Sequence, residues 1–359
     1  ITRNSGAPGD ESWGMKLRGA SSSNSTDPLI IVDGVEYSDG INGMRNLNPD
    51  DIESINFLKD ASAAIYGSKA AGGVVLITTK KAKAGKTVVQ YNGSFTGKVV
   101  GLQPELMSLD QWADAVITAQ TNDGYSDSNW IRYARLAKLY KNQYIDLSHS
   151  AHPIPEGFKD VEDFVFMDND WQDIMFNPAL MQNYNLSVQG GGKYTTYYNS
   201  FGYTNQDGVL KGTNFQRYTM QSKVDYKKGI VNLGTNIILE YDKDKPLFSE
   251  IRGGMVGHTL QSVPTLSRYD SSRVGGYGGL YGDVVNLRNP LGTCDDNVLG
   301  RKSDNAKVYA NVYFSIEPIK GLKYKMNFTP DFQFYRYNEK TGLYDFGLDK
   351  NGITQNTER

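Results

Sequence analysis

Cysteine is nearly missing from this chain: Cys294 is the only one in 359 residues. No disulfide can form within the chain, which excludes the scaffold of small disulfide-stapled secreted proteins. Histidine is scarce too, with three residues, and no Ser/His/Asp or Cys/His arrangement is suggested, so an enzyme is not expected. A surplus of either charge is absent; the net charge of −2 and pI of about 6.0 give no basic face for nucleic acid. No stretch approaches the ~20 apolar residues of a spanning helix. The mean hydropathy of −0.50 looks soluble, yet barrel strands are only half apolar and average out as polar. The opening residues ITRNSGAPGD carry neither the basic region nor the apolar stretch of a leader. Either a leader was removed or the chain is part of something longer. Tyrosine, by contrast, is abundant, at 24 against 14 Phe and 4 Trp, and it suits surfaces that are part apolar and part wet.

Residues 28–37, PLIIVDGVEY, predict strand, Asp33-Gly34 turn, strand. The segment 50–80, DDIESINFLKDASAAIYGSKAAGGVVLITTK, predicts a helical turn running into a strand, a small-residue helix ending at Gly67, and a buried strand over Val74 to Thr78. Together these make a compact mixed α/β unit. From Thr87 the period becomes two. Val89, Tyr91 and Phe95 oppose Gln90, Asn92 and Ser94; Leu233, Ile237 and Leu239 oppose Asn232, Asn236 and Glu240. About seven such strands are expected, each of the ~9–11 residues or more that a tilted membrane strand needs. Short and longer connections alternate strictly, as in an up-and-down barrel with tight turns at one rim. Aromatics gather near strand ends, at Tyr184, Tyr203, Tyr241, Tyr313 and Tyr337. Two amphipathic helices are expected in the first long link, one burying Trp112, Ala115 and Val116, the other Ile131, Leu136 and Leu139. The competing reading is a soluble, secreted β-rich glycan-binding module, whose apolar faces would need a second protein layer.

Three stretches carry a resemblance: PLIIVDGVEY, then LNPDDIESINFLKDASAAIYGSKAAGGVVLITTKK, then NDWQDIMFNPALMQNYNLSVQGGGKYTTYYNSFGYTNQDGVLKGTNFQRY. They resemble TonB-dependent outer-membrane transporters of the SusC/RagA type. The resemblance implies the C-terminal portion of a plug domain over 1–84 and, over 85–359, the first part of a transmembrane antiparallel barrel of 22 strands in the whole protein, with long outer loops at 100–181 and 242–305. It implies import of an oligosaccharide or oligopeptide across the outer membrane of a Bacteroidetes-like bacterium. The implied partners are a SusD-like surface lipoprotein, TonB through a segment not in this chain, outer-membrane lipid, and a dimer of transporter–lipoprotein pairs. A siderophore or cobalamin receptor is the nearest competitor within the class.

The remaining motifs carry little chemistry. GSKAAGG at 67–73 lacks the lysine of a phosphate loop, and AGKT at 84–87 lacks its first glycine; close packing of small residues is the better reading. His149 and His152 lack further ligands for a metal. Asp168, Asp170 and Asp173 are the calcium candidates, though without the glycine and terminal glutamate of a calcium loop; no other cofactor is expected. Tyr277 and Tyr281, in the Gly/Tyr loop RVGGYGGLYGD, are expected to stack on substrate, with Tyr37 and Trp130 as further aromatic candidates. Lys80, Lys81, Lys83 and Lys86 read as a solvated linker between the two units.

Overall fold

The computed structural model describes residues 2–3, 6–9, 13–15, 27–37, 40–44, 47–59, 62–82, 84–101, 103–142, 144–146, 163–246, 254–270, 273–279, 288–344 and 357–358. The N-terminal unit is a four-stranded sheet. Strands β1 (Leu29–Val32) and β2 (Val35–Glu36) flank the Asp33-Gly34 turn, and both turn residues have positive φ, as a two-residue hairpin requires. Helix α1 covers Gly40–Met44 and is followed by a 3-10 turn over Pro49–Asp51, capped by the Asn48 side chain. β3 (Ile52–Leu58) runs antiparallel to β4 (Val74–Thr79), and β4 runs parallel to β1. The β-branched run VVLITT of β4 is enclosed on both faces, which is why it reads as a continuous apolar strand.

The small-residue segment differs from its expectation. It forms two 3-10 turns, Ala64–Tyr66 and Ser68–Gly72, instead of one helix. Gly67 at φ +75 separates them and Gly73 at φ +96 ends the second; each glycine resets the chain before a full α-turn accumulates.

The large sheet is antiparallel throughout, and neighbours in sequence are neighbours in space. It comprises β5 (Gly85–Lys98), β6 (Ala179–Gly191), β7 (Thr195–Asp207), β8 (Asn214–Lys228), β9 (Val231–Lys245), β10 (Gly300–Ile319), β11 (Leu322–Phe328) and β12 (Asp331–Thr341). β11 pairs with the second half of β10 and β12 with the first half. They are one wall strand interrupted at Thr329-Pro330. Proline has no N–H to give the ladder, but its carbonyl still accepts the Ala310 amide at 3.0 Å. A two-residue strand, Thr357–Glu358, adds to the end of β12.

Alternation sorts this sheet into two unlike faces. One presents Tyr91, Phe95, Leu186, Phe201, Met220, Leu239, Val312 and Phe334, all exposed. On that face Tyr184, Tyr203, Tyr218 and Tyr241 sit opposite one another in register, with ring centroids 6.3, 5.0 and 6.3 Å apart. The other face is polar and covered: Asn185, Ser187, Ser200, Gln206, Thr219, Gln221, Lys223, Asn236, Glu240, Lys307, Asn311 and Ser315 are buried. Tyr313 faces this side, its ring over Gly234, where a Cβ would come within 2.3 Å of it.

The long connection after β5 folds into α2 (Leu109–Asn122), α3 (Asn129–Leu139) and α4 (Trp171–Met175). A Ser108/Gln111 capping box opens α2 and Ser108's counterpart Ser128 opens α3. Their packed stripe is Leu109, Ala113, Ile131, Tyr133, Ala134 and Ala137, with Trp112 edge-on to Tyr133 at 5.9 Å. Ala115 and Leu139, expected inside, are exposed. The connection after β9 forms α5 (Gly254–Gln261), α6 (Pro290–Thr293) and α7 (Asp296–Leu299). A core of Trp171, Met175, Leu210, Met255, Leu266 and Leu291 joins α4, α5, α6 and the β7–β8 link, so these connections form one packed cap.

Candidate functional site

The N-terminal unit is seated on the polar face of the large sheet. Ile30, Val32, Tyr37, Leu47, Val75 and Ile77 form a core with Ile238 and Tyr309 of the wall. Polar ties surround it. Asp33 Oδ2 accepts from Lys223 Nζ at 2.8 Å, Asn236 Nδ2 at 2.9 Å and Thr79 Oγ1 at 2.5 Å, while Asp33 Oδ1 accepts the Thr79 amide at 3.0 Å. Lys223 Nζ also donates to Thr79 Oγ1 at 2.8 Å. Tyr198 donates to Asp51 Oδ1 at 2.7 Å, and Asn92 Nδ2 to Asp50 Oδ1 at 3.0 Å. Burial raises the Asp51 pKa above the ordinary carboxylate value, against the Tyr198 hydrogen bond that lowers it. Gly202 allows the close approach: a Cβ there would lie 2.6 Å from Asn48 Nδ2.

Beside this seam, toward the long connections, lies a cavity of about 560 Å³. Wall residues Phe215, Arg217, Asp242, Asp244, Asn305 and Tyr335 contribute most of its chemistry, and Ala7, Pro8 and Gly9 close one side. Gly9, at φ +69, packs on the Phe215 ring where a Cβ would lie 2.3 Å away. Arg217 makes a two-pronged bond to Asp242, at 2.8 and 2.9 Å, with Glu240 Oε1 3.4 Å from the guanidinium and the Phe215 ring 5.0 Å below it. Gln333 donates to Asn305 Oδ1 at 2.9 Å. The lining therefore offers both charge signs, amides and two aromatic rings, which suits a polar oligomer held by hydrogen bonds and ring contacts.

None of the described aromatic candidates lines this cavity. Tyr37 is buried at the seam, its ring 5.3 Å from Tyr309 and under Lys307 Nζ at 4.5 Å. Trp130 is half-buried in the first turn of α3. Tyr277 donates to Asp295 Oδ2 at 2.6 Å and packs against Tyr269 at 5.6 Å; burial and the Asp295 carboxylate raise its pKa. Tyr281, like His149, His152 and Lys83, lies outside the described residues. Asp168 accepts the Leu109 amide at 2.8 Å and pairs with Lys141 at 2.7 Å, fastening α2. Asp170 caps α4 through the Gln172 and Asp173 amides, and Asp173 lies in the first turn of the same helix. Among the described residues no group of three or more His, Cys, Asp or Glu is placed to hold a metal ion. The cavity residues were missed because alternation assigns faces without singling out positions. The available signal was a charge on the inward side of a strand beside one of the longer connections, as Arg217 in NFQRY and Asp242 and Asp244 in YDKDK.

Comparison with known proteins gives a consistent picture. The family described as TonB-dependent Receptor Plug Domain matches residues 1–74. TonB-dependent receptor SusC of Bacteroides thetaiotaomicron is 32% identical over 302 residues, covering 81% of this chain and 26% of that protein. TonB-dependent receptor P26 of Formosa agariphila is 28% identical over 347 residues, covering 95% of this chain and 31% of that protein. Among solved structures, the RagAB peptide importer in its closed-closed state aligns with a TM-score of 0.69 at 25% identity, covering 91% of this chain and 37% of that one. The chain thus spans about a quarter to a third of the length of the sequence relatives it matches.

Proposed function

Because this chain belongs to the SusC/RagA type of TonB-dependent transporters, with that family's plug and first barrel strands, we propose that it serves import of a polar nutrient oligomer across the outer membrane. The observation that carries this reading is the sheet's division: an exposed apolar face with an in-register tyrosine row, and a polar face on which the plug is seated. Lipid satisfies the first face and the plug with water satisfies the second. In this reading the short turns face the periplasm and the packed cap faces outward. Substrate enters the cavity between cap and plug, and TonB acts on the plug to open a path. A SusD-like surface lipoprotein would close over the cap, in a dimer of such pairs.

The substrate is an oligopeptide or an oligosaccharide. The two charge signs in the cavity, at Arg217, Asp242 and Asp244, favour an oligopeptide, as does likeness to the RagAB peptide importer. Growth of a strain deleted for the whole gene, on defined peptides and on defined glycans, tests this. Impaired growth on peptides alone is the expected result, impairment on glycans alone reassigns the substrate, and unimpaired growth on both contradicts nutrient import.

A further inference from the structure

The short turns of the wall carry more lysines than carboxylates. Lys193 lies in the β6–β7 turn, Lys227 and Lys228 at the β8–β9 turn, and Lys320, Lys323 and Lys325 at the β10–β11 turn, all exposed. Among the described residues none of these lysines is in an ion pair. The two nearby carboxylates bond elsewhere in the wall: Glu317 accepts the Gly321 amide at 3.0 Å, and Asp225 accepts the Tyr313 hydroxyl. The opposite rim is internally balanced, with Lys245 on Asp296 at 2.8 Å, Arg301 on Glu339 at 2.6 Å and Arg336 on Asp304 at 2.5 Å.

Two of these lysines lie against one ring. Lys193 Nζ and Lys228 Nζ lie 5.4 and 5.5 Å from the centroid of the exposed Tyr194 ring. The Lys227 amide donates to the Tyr194 carbonyl at 2.8 Å, which ties the two turns together. Exposed Ile230, Ile319 and Leu322 occupy the same rim. Two ammonium groups around a phenol, beside apolar side chains, match the chemistry of a headgroup–acyl boundary.

We propose that Lys193, Tyr194 and Lys228 bind the phosphate of an anionic glycerophospholipid in the leaflet beside the short turns. The inference rests on the membrane reading above. The two lysine cations repel the cation of a zwitterionic headgroup, so a headgroup with a net negative charge is held better. Tyr194 supplies a hydroxyl donor, and Ile230 a contact for the first acyl carbons.

The test uses the full-length transporter in nanodiscs of mixed phosphatidylglycerol and phosphatidylcholine, with retained lipids counted by mass spectrometry. The native protein is expected to enrich phosphatidylglycerol. Lys193→Gln with Lys228→Gln is expected to lower that enrichment by about fivefold per lysine. Lys243→Gln, at the balanced rim, is expected to change it by less than about twofold. Equal enrichment by the native protein and the double variant would overturn the site, as would capture of soluble anionic muropeptides with no lipid preference. Heat-modifiable migration reports insertion separately, and failure to insert into any lipid would overturn the membrane reading itself.

Discussion

Replacing Lys223 by Met removes the cation from the tie between plug and wall while nearly keeping side-chain volume. Lys223 and Asp33 side chains are 5% and 10% exposed, with the ammonium 2.8 Å from the carboxylate. At that distance an effective dielectric near 20 gives a gross attraction of about 6 kcal/mol, largely offset by the cost of desolvating both charges. Removing one partner leaves the other charged and buried, at about 3–5 kcal/mol. Asp33 would keep three donors, from Thr79 N, Thr79 Oγ1 and Asn236 Nδ2, so Lys223→Met belongs at the lower end, about 3 kcal/mol. Asp33→Asn leaves Lys223 facing Thr79 Oγ1 and belongs at the upper end. The readout is hydrogen exchange at the Thr79 amide, which is held by Asp33. A loss of about 3 kcal/mol there accelerates exchange about 150-fold, while amides in the β8–β9 ladder keep their protection. The double variant is expected to lose less than the sum of the singles. Unchanged Thr79 exchange in Lys223→Met, or equal acceleration through the β8–β9 ladder, would refute the idea of a local tie.

The seam also responds to pH. The Asp51 pKa is raised in the folded state, so the folded form holds that proton more tightly, and stability falls as pH rises from about 4, the unfolded value, through the raised value. Denaturation midpoints of Asp51→Asn relative to the native protein are therefore expected to improve over that window and then level off; a constant difference would contradict the assignment. Gly202→Ala forces a Cβ within 2.6 Å of Asn48 Nδ2 and 2.4 Å of Thr219 Oγ1, and is expected to cost about 1–3 kcal/mol, read from the same plug amides. Asn289→Ala removes a side chain whose Nδ2 holds the carbonyls of Ser267, Arg268 and Gly278. Limited proteolysis should then cut the connection between β9 and β10 faster, with the wall intact.

Much of the architecture was written in residue spacing. The Asp33-Gly34 turn, the buried run of β4 and the period of two in the wall each follow from local chemistry, and strict alternation of link lengths gave the up-and-down order. GLKYKMNFTPDFQFYRY read as one strand, and across the Pro330 break it serves as one. Where spacing failed, a tertiary cause is visible. Leu139 looked buried by helical period, but α3 rests on its other stripe, through Tyr133 and Ala137. Of the aromatics expected to stack on substrate, Tyr37 lies in the seam and Tyr277 is held by Asp295. The cavity depends on register across β8, β9, β10 and β12, which brings Arg217 to Asp242 and Asn305 to Gln333. Single-strand patterns do not contain that information.

The division of the wall into a lipid face and a lumen face is tested most directly by spin labels at adjacent positions. Cysteines would be placed singly at Ser200 and Phe201, Met220 and Gln221, and Ile238 and Leu239 in the membrane-inserted protein, with Cys294 replaced by Ser. Labels at Phe201, Met220 and Leu239 should collide freely with oxygen dissolved in hydrocarbon and poorly with a water-soluble nickel complex, while labels at Ser200, Gln221 and Ile238 should reach neither. Ready collision of the Phe201, Met220 and Leu239 labels with the nickel complex would place that face in water and contradict the account.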